Sequence, residues 1–398
     1  MANSLLTPTA VTRKAIAILH QKLNFIGSIN RQYDDSYAIP GAKIGDTLKI
    51  RLPNQYTVRT GSALSTQDVQ ENSVTLQMAT QKGVDLNFSS KDLTLTLDDF
   101  STRIIEPAMS VLAANIEADA LNMALDVYNV VNNVGSAITL NKALGARKLL
   151  VDNLAPGDAR TLILNTQDNL DLVDGLKGLF QDSKEIAQQY REGKVGRTAG
   201  FGDIYENTLL ASQLTGTSAS ATGYTVNGAV TANGSSSVVV QTGTTTFKKG
   251  DVVTFAGTNR VHPETKADTG VLHNFVVTAD YAGGAGTLQI APAIYTSGGR
   301  QNVVSTGIAN SAAIVKVGGA SAVYKPSLAF HKDAFAFVSA DLMMPDGVDW
   351  KAREVFDGIS MRIIRQYDIN SDNLPCRLDV LYGYQTLRAQ LAARILSN

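Results

Sequence analysis

Three aspartates, Asp168, Asp171 and Asp174, recur every third residue just ahead of Gly175. Carboxylates gathered before a glycine could ligate calcium, but an EF-type loop needs oxygens at alternate positions and a distant glutamate. Here Leu170, Val173, Leu176 and Phe180 follow a helical apolar period, so the three aspartates are expected on the solvated face of a helix. Asp119 and Asp126, a heptad apart, could pair for general acid and base work, yet the apolar stripe beside them already accounts for their spacing.

The four histidines are scattered. His262 and His273 bracket PETKADTGVL and read most simply as a loop and a strand-start histidine, with a metal pair as the alternative. His331 lies near Asp333 in AFHKDAF, but no serine or cysteine stands where it would make a nucleophile pair, so a core or surface histidine is expected. The single cysteine, Cys376, rules out an intramolecular disulfide framework and an all-cysteine metal site within one chain. Between Pro375 and Arg377 it reads as a small buried hydrophobe.

The sequence holds no HExxH, no GxxxxGK followed by Ser or Thr, no GxSxG and no CxxC. The glycine-rich stretches GFG at Gly200 and GGAG at Gly283 lack the strand before and helix after that a phosphate cradle needs. No catalytic, cofactor-binding or metal-ligating residue is therefore expected, no cofactor is implied, and an enzyme is the least favoured class. With 35 basic against 36 acidic residues the chain carries no field that seeks a polyanion, so tight sequence-independent DNA binding is not expected. No run approaches the length of a membrane span, and the N-terminus reads as unprocessed, which together with the lone cysteine fits a soluble protein made in a reducing cytoplasm.

The elements that would position these residues follow from periodicity. Residues 98–134 read as one long amphipathic helix of roughly 45 to 55 Å, with Ile105, Met109, Leu112, Ile116, Met123, Val127 and Val130 on its apolar side. Asn115, Asp119, Asn122, Asp126, Asn129 and Asn133 form its polar stripe. Pro107 conflicts with a helix interior, so a short helix, a kink and a restart near Glu106 are expected. Residues 7–30 predict a first helix, and its Arg13, Lys14 and Lys22 are either a solvated basic face or a docking arm for a partner. The period then changes to two: Leu48, Ile50, Leu52; Val74, Leu76, Met78; Val84, Leu86, Phe88. These strands form either an extended arm lying on a neighbour or an ordinary edge hairpin.

Beyond the long helix, 140–151 reads as a helix capped by Thr139, and 161–165 as a buried strand. From about residue 215 to 321 the chain turns rich in Gly, Ser and Thr, with short alternating runs such as GDVVTFAG and HNFVVTAD, the signature of a small all-β barrel or sandwich. The earlier style returns at Tyr324, with a strand pair ISMRIIRQYDI and CRLDVLYG across NSDN and a helical stretch from Gln385. The β stretch thus looks inserted into one interrupted domain.

Several stretches carry a resemblance. AFHKDAFAFVSADLMMP from Ala329 and GISMRIIRQYDINSDNLPCRLDVLYGYQTLR from Gly358 resemble the C-terminal part of the coat proteins of tailed double-stranded-DNA bacteriophages, which have the HK97-like capsid fold. FKKGDVVTFAGTNRVHPETK from Phe247 resembles the extra β-barrel of the P22-type branch, and NTQDNLDLVDGLKGLF from Asn165 and YREGKVGRTAGFGDIYEN from Tyr190 sit where that family has similar segments. Ala389 departs from the proline expected after Arg388.

The resemblance implies an α+β chain of the HK97-like capsid fold with an inserted small all-β barrel. It divides the chain into an N-terminal arm (1–36), an E-loop with strands of a peripheral domain (37–97) and a spine helix (98–136). A first part of an axial domain (137–214), the inserted I-domain (215–322) and a second axial part with strands returning to the periphery (323–398) follow. It implies a major capsid protein that self-assembles through hexamers and pentamers into an icosahedral shell around packaged double-stranded DNA, without tight sequence-specific DNA binding. A scaffolding protein, a portal, assembly in the host bacterial cytoplasm and a precursor shell that expands on maturation are implied with it, and no membrane. Pro107 is then a candidate kink of the spine, and its polar stripe a solvent- or DNA-facing surface. The alternative is a phage tail or surface-fibre component whose barrel binds a host ligand.

Overall fold

The computed structural model describes residues 12–13, 15–17, 23–34, 47–64, 66–67, 71–89, 104–176, 200–356, 358–370 and 373–397. Four helices are described here: α1 Asn24–Ser28, α2 Glu106–Leu121, α3 Leu140–Asp152 and α4 Thr166–Leu176. The strands begin with β1 Asn30–Asp34, β2 Thr47–Leu52, β3 Asn72–Gln77, β4 Thr80–Ser89, β5 Val130–Asn132, β6 Arg160–Leu164, β7 Asp203–Glu206 and β8 Gln213–Leu214. There follow β9 Ala221–Val226, β10 Ser235–Gln241, β11 Val252–Val261, β12 Asp268–Val277, β13 Gly286–Ile294 and β14 Ala313–Lys316. The last are β15 Val323–Tyr324, β16 Ser327–His331, β17 Phe335–Ala340, β18 Trp350–Phe356, β19 Ile359–Arg365, β20 Asn373–Thr386 and β21 Ala392–Leu396.

The chain forms two compact units. The first draws on Met1–Arg51, Ser73–Leu121 and Phe335–Leu387; the second on Leu52–Asn72, Asn122–Ala334 and Arg388–Asn398.

In the first unit the sheet runs β1-β17-β20-β19-β18, with β4 also paired to β20. The 14 residues of β20 let it serve three neighbours along its length. Its central place follows from apolar residues on both faces, as the sequence suggested. Every residue of β17 is buried. On one side Leu76 of β3 and Met78 just after it pack against Ala336, Val338 and Ala340, with Leu48 and Ile50 of β2 alongside; on the other, Phe337 stacks on Tyr382 at 5.5 Å between ring centroids. Each such buried side chain contributes about 1.5–3 kcal/mol from removal of apolar surface from water. The three period-two runs expected between residues 48 and 88 are thus strands, and the last is part of the main sheet.

The second unit holds a five-stranded sheet, β5-β21-β16-β6-β7, and a closed six-stranded barrel, β10-β13-β12-β11-β14-β9. Helix α3 buries Ala143, Ala146 and Leu150, a three-and-four spacing that gives it one apolar stripe. In the barrel, alternation sends Tyr224 and Val226 of β9, Val238 and Val240 of β10, and Phe255 and Phe275 of the long pair β11–β12 inward to one core. The chain enters the barrel through β8 and leaves through β15, and these two strands pair antiparallel. The barrel is therefore an insertion whose two ends are zipped together at a neck.

Three expectations are corrected. The long helix over 98–134 is shorter: α2 ends at Leu121, about 24 Å after its start, Asn122–Asp126 tightens into a 3-10 turn, and Val130–Asn132 is strand β5. Val130 and Val131 suit a strand, and β5 gains a parallel partner in β21, some 260 residues away, which overrides the local helical period. The helical stretch expected from Gln385 is instead the end of β20, a 3-10 turn at Ala389–Leu391 and β21, whose five residues are all buried between β5 and β16. The first helix is present at residues 12–13 and 15–17 but does not run unbroken to residue 30: Leu23 is extended, α1 is a separate helix of five residues, and Asn30 opens β1, drawn into parallel pairing with β17.

Candidate functional site

A buried polar cluster lies at the root of the barrel, within the second unit. Arg394 of β21 is fully buried; its Nη1 donates to Gln213 Oε1 at 2.8 Å and its Nη2 to the Gly250 carbonyl at 3.0 Å. Gln213, in the neck strand β8, donates through Nε2 to the same Gly250 carbonyl and to Asp251 Oδ1 at 3.3 Å. Asp251 Oδ2 accepts from the backbone N–H groups of Gly216 and Lys248 at 3.0 and 2.9 Å. Lys316, at the end of β14 and likewise fully buried, donates through Nζ to the carbonyls of Gly216 and Gly319 at 3.1 and 3.0 Å.

Burial lowers the affinity of both cations for their protons. Arg394 is pushed down to about 10, an effect opposed by the negative charges of Asp126 and Asp251, and Lys316 shifts in the same direction with Asp251 opposing. Arg394 remains charged at neutral pH. The cluster ties the neck strand β8 to the sheet through β21, with β15 held by its pairing to β8, although Arg394 Nε is buried without a partner among the described residues.

Two further contacts hold the barrel within its unit. Arg260 of β11 bridges to Asp152 at the end of α3 at 2.5 Å, and Lys148 approaches the same carboxylate at 3.7 Å. His273 of β12 stacks on Phe275 at 4.6 Å and on Tyr128, in the loop before β5, at 5.4 Å. Burial holds His273 neutral, its pKa lowered to about 4 despite a hydrogen bond to the Asn274 carbonyl that pulls the other way.

The aspartate series divides. Asp168 is buried, a correction to the solvated face expected for it: Ser327 Oγ donates to its Oδ2 at 2.5 Å and Asn165 Nδ2 at 3.0 Å. Its own N–H donates to Asn165 Oδ1 at 2.7 Å, so Asn165 caps α4 and Asp168 returns the bond, a reciprocal capping arrangement at the helix N-terminus. Desolvation raises the Asp168 pKa against the pull of these donors. The apolar face is shifted as well, since Leu172 is buried while Leu170 is exposed. Asp171 instead accepts from Gln167 at 2.9 Å on an exposed turn of the helix.

The polar stripe of the expected long helix is likewise redistributed. Asp119 on α2 binds Lys82 and the Tyr382 hydroxyl, each at 2.6 Å, and raises the Tyr382 pKa further after desolvation. Asp126 lies 3.5 Å from Lys249. Asn129 and Asn133 are buried, donating to the carbonyls of Ala392 and Ser136 at 2.9 Å, so neither faces solvent or a lumen.

His262 Nδ1 accepts from the N–H groups of Glu264 and Thr265, while the His273 ring is stacked; the two join no common ligand set, and no metal-holding group of three or more His, Cys, Asp or Glu exists among the described residues. His331 is a core histidine whose Nδ1 accepts from the Asp333 N–H at 3.2 Å. Cys376 is buried, its thiol pushed up to about 12. Arg13 is exposed and lies 3.5 Å from Glu354; Lys14 and Lys22 lie outside the described residues. Pro107 is the second residue of α2, which follows directly on π-helical backbone at Ile104 and Ile105, and the segment 98–103 ahead of it lies outside the described residues. No described helix is long and apolar enough to cross a membrane.

Sequence reasoning missed Arg394, Lys316, Gln213 and Asp251. The available signal was a charged residue embedded in an apolar run, as in AARIL around Arg394.

A family model described as P22 coat protein, gene protein 5, matches residues 31–394. No curated protein sequence matches the chain. Among solved structures, one titled Mycobacterium phage Che8 aligns over 94% of this chain and 90% of its own at 15% identity, with a TM-score of 0.46. The asymmetric unit of the bacteriophage PhiM1 mature capsid aligns over 93% and 86% at 10% identity, with a TM-score of 0.47. The capsid of the cyanophage P-SCSP1u covers the same shares at 11% identity, with a TM-score of 0.44.

Proposed function

This chain belongs to the P22 coat protein family and is a major capsid protein, and we propose that it closes an icosahedral shell through hexamers and pentamers around a double-stranded DNA genome. The observation that carries this reading is the family match across residues 31–394, which takes in both units and the closed barrel between the neck strands β8 and β15. Membership in a coat family sets aside the tail-fibre alternative.

A shell of many identical subunits needs no strong single contact, because each subunit makes several and their effects multiply. The near balance of 35 basic and 36 acidic residues suits a container that must hold DNA without gripping it. The polar clusters described above tie strands, helix end and barrel together through Arg394, Gln213, Lys316 and Arg260, which supports a structural role. In family terms, 1–36 is the N-terminal arm, 37–97 the E-loop with peripheral strands, 98–136 the spine region, 215–322 the I-domain, and 137–214 with 323–398 the axial domain. A scaffolding protein and a portal are the proposed partners, with assembly in the host cytoplasm and Arg13, Lys14 and Lys22 as candidate partner contacts. Pro107 is the proposed bending point of the spine as a precursor shell expands; an identical bend in precursor and expanded shells would refute that role.

Electron microscopy of the protein expressed alone and with its neighbouring phage proteins tests the reading. Empty icosahedral shells are expected, and a monomer under every condition would overturn it.

A further inference from the structure

The segment 52–72 leaves the first unit after β2, returns to it at β3, and belongs to the second unit in between. Two features make it a shaped strap. Gln67 uses both ends of its amide on one residue: Oε1 accepts from the Thr57 N–H at 2.8 Å, and Nε2 donates to the Thr57 carbonyl at 2.6 Å. A side chain thereby supplies the bonds a partner strand would make. Arg59 Nη1 donates to the Ala63 carbonyl at 3.0 Å and also to that of Gly61, closing the tip. The strap exposes Tyr56, Val58 and Leu64, with Val58 at 94%.

Among the described residues, the strap meets the barrel at the loop 295–301 after β13. Gly299 meets it there without room for a side chain: a Cβ would collide with the Gln55 carbonyl oxygen and stand 2.8 Å from its carbon. Arg300 lies with its guanidinium carbon 4.2 Å from the centre of the Tyr295 ring and donates through Nη1 to Asn72 Oδ1 at 3.0 Å. Both roots of the strap, Gln55 going out and Asn72 coming back, are therefore held by adjacent barrel residues.

The barrel loop is itself braced for the task. Lys266 Nζ donates to the carbonyls of Gly299 and Pro263, each at 2.6 Å, tying the loop to the β11–β12 turn. Asn233 accepts from the Thr296 N–H at 2.8 Å and donates to Ser297 Oγ at 3.0 Å. A loop that served only to connect strands would not need its backbone fixed from two sides.

We propose that loop 295–301 is an intrachain seat that sets the direction of the strap relative to the barrel in the free subunit. The barrel then has a job beyond its own fold: it orders a long connection in advance, so that ordering is not charged against whatever contact Tyr56, Val58 and Leu64 later make with a second copy. The seat itself stands on intrachain geometry; its consequence for assembly rests on the shell reading above.

Hydrogen–deuterium exchange on the full-length, unassembled chain tests it with two variants. Arg300→Ala removes an exposed side chain outside the barrel core, and Gly299→Val blocks the seat sterically. Arg300→Ala is expected to raise exchange across 53–67 by about threefold to tenfold, the range for loss of a single hydrogen bond, with β11 and β12 unchanged. Gly299→Val is expected to raise it at least as much. Unaltered strap exchange in folded Arg300→Ala protein, or a wild-type strap that already exchanges as free chain, overturns the seat. Where Gly299→Val fails to fold, Arg300→Ala decides alone. A wild-type chain that makes no shells would remove the shell reading while leaving the exchange result to judge the seat.

Discussion

Arg394 reaches Gln213 across 181 residues of sequence, its Nη1 donating to Oε1 over 2.8 Å inside a site closed to solvent. The pair joins β21 to β8, the first strand of the barrel's neck, and so adds to the contacts that hold the insertion. Truncating the arginine leaves Gln213 Oε1 and the Gly250 carbonyl without that donor. Arg394→Ala is expected to lower stability by about 3 kcal/mol, in the range for breaking a buried charged network, and to make the neck segments 213–218 and 316–324 the first sites of limited proteolysis. Arg394→Lys is expected to recover less than half of the loss, because one ammonium cannot span both acceptors in the guanidinium's geometry. Thermal unfolding of both variants checks the order.

The stacked His273 makes the hold on the barrel acid-sensitive. Its folded pKa, about 4, lies below the ordinary histidine value of 6.5, so the unfolded chain binds the proton first as the pH falls. The stabilisation is fully present above pH 6.5 and declines as the pH drops towards 4, by up to about 3 kcal/mol for a shift of this size. The groups around the ring are Tyr128, Phe275 and the Asn274 carbonyl, with the charge of Arg260, itself paired to Asp152, disfavouring protonation. Denaturant titrations at pH 7.5 and pH 4.5 should show a smaller loss in His273→Phe than in the wild type; equal losses would remove His273 as the cause.

Gly83 of β4 faces Asp379 of β20 across the sheet, and a Cβ there would collide with Asp379 Oδ1 and the Leu378 carbonyl. The vacancy lets the Asp379 carboxylate lie against the sheet and bind Arg362 at 2.7 Å. Gly83→Ala is expected to destabilise the first unit by about 1–3 kcal/mol, the usual cost of overpacking. Chemical denaturation should place it below the wild type, and pairing it with Asp379→Ala should give a combined loss smaller than the sum of the single losses, since both act on the same space.

Cys376 should be silent in the native protein. Its thiol, buried and pushed up to about 12, offers almost no thiolate at neutral pH. A thiol-reactive reagent at pH 8 is expected to label it at the rate of unfolding, with one equivalent taken up in denaturant. Immediate labelling of folded protein would contradict its burial.

Much of this architecture was legible in the sequence. Period-two alternation marks β2, β3 and β4, the Gly-, Ser- and Thr-rich stretch marks the barrel, and the apolar faces of 359–383 mark the centre of a sheet. These signals survive because they record which side of an element is buried, a property carried by neighbours two to four residues apart. The absence of catalytic motifs and the near-zero charge likewise need only the residue list.

Tertiary structure decided where local signals were degenerate. A helical period ran on through Val130, yet β5 was claimed by β21, and the run from Gln385 became strand because Ala392–Leu396 sits between β5 and β16. Asp168 looked like a surface acid until Ser327, on a strand 159 residues away, donated to it. The four residues at the barrel root come from 213, 251, 316 and 394, and no spacing rule relates them. Local pattern specifies faces; which faces meet is set by pairing and burial among segments far apart in the chain, where one hydrogen-bonded partner outweighs several tenths of a kcal/mol of intrinsic preference.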